Sequence, residues 1–95
     1  MDAVTEQLFK QNAAIETAPL QQEAILYHPG ANRFCILNRT SSFIWNRLGV
    51  PTSPKALASD LAASFDEVTP AQALEDVQRA LNELVALDLV CNVAE

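Results

Sequence analysis

Apolar positions recur along this chain in two rhythms, first every second residue and then every third or fourth. From residue 23 to 38 the sequence reads "EAILYHPGANRFCILN", two short apolar runs around the turn-forming cluster "HPGAN". That layout predicts a β-hairpin with strands over residues 23–27 and 33–37. Alternation in the second strand puts Phe34 and Ile36 on one face and Arg33, Cys35 and Leu37 on the other. Both faces are largely apolar, so one is expected to be buried and the other covered, and alternation leaves open which points inward. An earlier strand is expected within "AAIETA", near residues 15–17, ended by Pro19.

Helical spacing begins immediately afterwards. Asn38 is placed to cap a helix over residues 39–48, on which Ile44, Trp45 and Leu48 form one apolar face. "GVPTSP" interrupts it, and Ser53-Pro54 is a hydroxyl cap followed by proline at the first helical position. The second helix, residues 54–65, repeats Leu57, Leu61 and Phe65 at i+4, with Ala58 and Ala62 permitting close packing. Thr69-Pro70-Ala71-Gln72 is a capping-box signature opening a third helix over residues 70–87. Its main stripe is Leu74, Val77, Leu81 and Leu84. A second line, Ala73, Val77, Ala80, Leu84 and Leu87, is mostly small. "LVCNV" predicts a short closing strand. The expected core is Leu37, Ile44, Trp45, Leu48, Leu57, Leu61, Leu74, Leu81 and Leu84. The fold class is α+β, a small antiparallel sheet beside three helices.

Composition narrows the partners. The chain has 95 residues, 49% of them hydrophobic, enough for one small domain over residues 13–95 behind a flexible segment at 1–12. The net charge is −6, and the six basic residues are scattered, which argues against nucleic acid. No run reaches the length of a membrane span, and the start "MDAVTEQLFKQ" carries acids where a secretory signal would be apolar, so a cytoplasmic protein is expected. Cys35 and Cys91 read as two buried, reduced thiols. Neither they nor His28, a turn residue in "YHPG", show metal-ligand spacing, so no metal and no cofactor are expected.

The residues "FCILN", then "TSSFIWNRL", then "LNELVALDLV" resemble the PqqD family, the small peptide-binding domains also called RiPP recognition elements. The resemblance runs from about residue 23 to 90. In many relatives a glycine stands where this chain has Asp88. The resemblance implies a winged-helix-like fold with a small three-stranded antiparallel sheet followed by three helices. It also implies a function: binding the leader segment of a ribosomally made precursor peptide as an added strand and presenting it to a maturation enzyme, such as a radical-SAM maturase or a leader protease. An exposed strand edge suits that task, because an extended peptide satisfies its free N–H and C=O groups whatever the peptide's sequence. The expected edge is Arg33, Phe34, Cys35, Ile36 and Leu37. The expected far wall is Ala73, Val77 and Ala80, with Leu81 beside them.

Two other function classes compete. A winged-helix DNA-binding module shares the tri-helical core, but the second and third helices offer only Lys55 and Arg79 against Asp60, Asp66, Glu67, Glu75, Asp76 and Glu83. An enzyme is disfavoured: the chain has no G-x-S-x-G, no P-loop and a single histidine. A free strand edge is compatible with a monomer or a weak homodimer.

Overall fold

We describe a computed structural model covering residues 7–21 and 23–93. Strands β2 (Glu16–Leu20), β3 (Glu23–His28) and β4 (Arg33–Leu37) form an antiparallel sheet in the order β2-β3-β4. The β3–β4 hairpin pairs Ala24 with Leu37 and His28 with Arg33. Its turn closes through the Asn32 N–H donating to the Pro29 carbonyl at 3.2 Å. Asn32 adopts φ 51°, a left-handed conformation that its short polar side chain tolerates. The β2 strand runs longer than expected, passing through Pro19 to Leu20. A proline survives there because β2 is an edge strand.

Helices α1 (Arg39–Arg47), α2 (Pro54–Ser64) and α3 (Pro70–Ala86) follow in sequence, each opened by the residue expected to cap it. Asn38 Oδ1 accepts from the Ser41 N–H at 2.8 Å, Ser53 Oγ from Ala56 at 3.1 Å, and Thr69 Oγ1 from Gln72 at 3.2 Å. The three helices and the inner face of the sheet share one core, in which Leu26, Ile44, Trp45, Leu48, Leu57, Leu61 and Val77 are fully buried. The Trp45 indole N–H donates to Thr17 Oγ1 at 3.2 Å, tying α1 to β2.

Several expectations need correction. Leu74 is 39% exposed, because the helix rolls its buried face toward Ala73, Val77, Ala80, Leu81 and Leu84. The small residues let α3 pack closely, so the line of alanines carries the contact in place of Leu74. Cys91 is exposed and Cys35 half-buried, and both are free thiols. The flexible segment expected at 1–12 gives way at Leu8: strand β1 (Leu8–Gln11) pairs with β5 (Val90–Val93), and Phe9 bridges to Thr52. Gln11 fastens it further, its side-chain amide donating to the Trp45 carbonyl at 2.7 Å. Residues 1–6 of that segment lie outside the described residues.

Helix α3 ends in a Schellman motif. The Leu89 N–H donates to the Leu84 carbonyl at 2.9 Å and the Asp88 N–H to the Val85 carbonyl at 3.0 Å. This geometry requires a left-handed residue between them, and Asp88 supplies it at φ 62°.

Candidate functional site

The three-stranded sheet has two edges, and they differ chemically. On β2, Pro19 has no N–H, and prolines in sheets point that nitrogen away from the paired neighbour, so the outer side of β2 is short of a donor. The β4 strand contains no proline and, among the described residues, pairs only with β3. Its far side therefore presents an unbroken backbone for another extended chain.

The faces of β4 are now resolved. Leu37 is 4% exposed and points into the core, with Cys35 half-buried on the same side. Phe34 and Ile36 point outward at 69% and 70% exposure. Behind them on β3 stand Tyr27 and Ile25, their cross-strand partners, and the Tyr27 and Phe34 rings pack with centroids 4.7 Å apart. Arg33, at the start of the strand, is exposed.

Beyond the inner side of this edge lies α3. A cavity of about 270 Å³ opens between the start of α1 and that helix, lined by Asn38, Thr40, Ser41, Asp76, Arg79, Ala80 and Glu83. Of the expected far wall, only Ala80 reaches it. Ala73 and Val77 have no accessible surface, and Leu81 is 4% exposed, so these three are core residues and do not line an open cleft. The physical reason is the roll of α3 that exposes Leu74: it turns the small-residue line into the protein. The polar lining was missed in the sequence, although a signal was present. Asp76 and Glu83 lie four residues before and three after Ala80, on one helical face with it.

Electrostatically the cavity wall is acidic with one internal pair. Arg79 donates to Asp76 Oδ1 at 3.4 Å, an exposed contact one helical turn long. Glu83 is exposed on the same lining. Burial pushes the Cys35 thiol above its ordinary pKa, and the Glu83 carboxylate adds to the shift. The far end of the cleft is held by His28, whose Nδ1 accepts the Ala31 N–H at 3.1 Å. That leaves Nε2 to donate to Asp88 Oδ2 at 3.0 Å, so the hairpin tip is tied to the end of α3. Among the described residues no cluster of three or more His, Cys, Asp or Glu side chains could hold a metal ion, and no helix is long and apolar enough to cross a membrane.

The arrangement can accept an extended peptide, with backbone pairing along β4 and side chains falling alternately on the outer sheet face and toward α3. Comparison with known proteins bears on the fold. The solved structure of TbiB1 in complex with the TbiA(beta) leader peptide superposes with a TM-score of 0.78 at 23% sequence identity, covering 90% of this chain and 99% of that one. No curated protein matches the sequence. Residues 23–90, from the start of β3 to the start of β5, match the family described as Coenzyme PQQ synthesis protein D, and the chain belongs to this PqqD family.

Proposed function

We propose that this domain binds the leader segment of a ribosomally synthesised precursor peptide by adding it as a strand to β4, and presents it to a separate maturation enzyme in the cytoplasm. The observation that carries the reading is the unpaired, proline-free edge of β4 beside an open cavity on α3. The TbiB1 structure, of the same fold and holding a leader peptide, supports it. Backbone pairing supplies affinity that does not depend on sequence, and pockets on either side of the added strand supply selectivity. The domain's part is binding; bond-making belongs to the partner, a radical-SAM maturase or a leader protease. The DNA-binding alternative gains nothing from the geometry, since the single arginine on α3, Arg79, already contacts Asp76.

The test is an amide footprint. A synthetic leader from a precursor gene beside this one is titrated into isotope-labelled protein, and backbone amides are followed by NMR and hydrogen exchange. Protection should appear at Arg33–Leu37 and shifts at Asp76, Ala80 and Glu83. Protection confined to β2 or to α2 would refute strand addition at β4.

A further inference from the structure

The sheet is unfinished on its outer face, and its rows show what would finish it. One row runs Glu16, Tyr27, Phe34 and the next Ala18, Ile25, Ile36, each taken from the cross-strand register. Both rows stop at β4, where Phe34 and Ile36 are the two most exposed large apolar side chains among the described residues. A shallow apolar hollow of about 310 Å³ over Ala18, Ile25, Tyr27 and Phe34 continues the same surface. A strand added to β4 places one residue beside Phe34 and another beside Ile36, two positions apart, both on this outer face. The residue between them lies beside Cys35 and must point inward, to the side where Glu83 and the Asp76–Arg79 pair line the cavity. Those three side chains sum to one negative charge. Because the pattern is symmetric about its centre, it is the same for a parallel or an antiparallel strand.

Resting on the strand-addition reading above, we infer that the leader is recognised through a three-residue motif of apolar, basic, apolar residues. The outer two are branched or aromatic and pack on Phe34 and Ile36, and the central Lys or Arg faces Glu83. Phe34 and Ile36 are then specificity-determining residues. Their exposure in the free protein is the surface that the ligand covers. Glu83 sets the sign of the central position, acting on choice of ligand more than on total affinity.

The experiment uses the full chain and an mRNA-displayed library of random twelve-residue peptides as its probe. Selected peptides should be enriched in the apolar-basic-apolar motif. Phe34→Ser and Ile36→Ser should each weaken them by roughly 1.5- to fivefold, the scale of a lost apolar cross-strand contact. Both side chains are exposed but pair with Tyr27 and Ile25 across the hairpin, so midpoints lowered by only a few degrees are expected, and a retained cooperative transition serves as the folding control. Repeating the selection on Glu83→Lys should switch the central position to Asp or Glu. Backbone N-methylation of alternate residues in a selected peptide reads strand pairing independently of side chains. Peptides that are sensitive to N-methylation but lack the motif would overturn the inference and leave strand addition standing. Peptides insensitive to N-methylation, or no enrichment at all, would overturn both.

Discussion

Asp88 offers a sharp test of how the cleft is held together. It sits in the left-handed region at φ 62°, inside the Schellman motif that ends α3, and its carboxylate meets His28 Nε2 at 3.0 Å. Two replacements separate these roles. In Asp88→Gly the backbone is relieved of a left-handed penalty of about 1 kcal/mol, while an exposed contact worth up to about 1 kcal/mol is lost. The Asp88 side chain is 73% exposed, so the lower part of that range applies and the Gly variant should match the parent or exceed its stability by up to about 1 kcal/mol. In Asp88→Ala the contact is lost and a less tolerant side chain occupies the same φ, so destabilisation of about 1–2 kcal/mol is expected. For a domain of this size each kcal/mol between the two variants separates their melting temperatures by about 4–8 °C. The assay is urea unfolding followed by the fluorescence of Trp45, the single tryptophan and a fully buried reporter. Equal stability of the Gly and Ala variants would refute the conformational argument. If both were destabilised by that same amount, the stabilisation would lie in the His28 contact and not in the backbone conformation.

Other consequences are simpler to state. Leu81→Ala, at 4% exposure, should cost about 2–5 kcal/mol, whereas Leu74→Ala, at 39%, should cost under about 1 kcal/mol; comparable losses in chemical denaturation would mean that α3 is rolled differently. Ala80→Trp should fill the cavity beside β4 and abolish leader binding in calorimetry, provided its thermal midpoint shows that the domain still folds; a folded variant binding at parental affinity would move the site elsewhere. Iodoacetamide should modify exposed Cys91 before half-buried Cys35. The thiolate is the nucleophile, so the raised Cys35 pKa slows its reaction at neutral pH, and the rate should climb only as pH passes above the ordinary thiol range. Glu83→Gln should move that rise to lower pH, and equal rates at the two cysteines under all conditions would contradict the burial. The same shift has a stability sign: the folded state holds the Cys35 proton more tightly, so its contribution is present below the unfolded thiol's pKa and fades as pH rises through the folded one.

Local chemistry determined much of this protein. The β4 bounds, the three helix starts and their caps at Asn38, Ser53 and Thr69 follow from alternation, a hydroxyl or amide cap and proline at the first turn, all short-range effects that a sequence displays directly. The PqqD resemblance was carried by the same stretches. Tertiary structure decided what periodicity leaves degenerate. Helix α3 offers two overlapping apolar lines, and only packing against α2 chose the one through Ala73 and Ala80, which exposed Leu74 and turned Ala73 and Val77 away from the cleft. Alternation gave β4 two apolar faces, and only the core's position sent Leu37 inward and Phe34 and Ile36 out. The β1 strand, four residues with no strong pattern, exists because β5, some eighty residues later, supplies its partner. Such long-range pairing leaves no trace in the local sequence, because the partner that satisfies the strand's backbone lies at the other end of the chain.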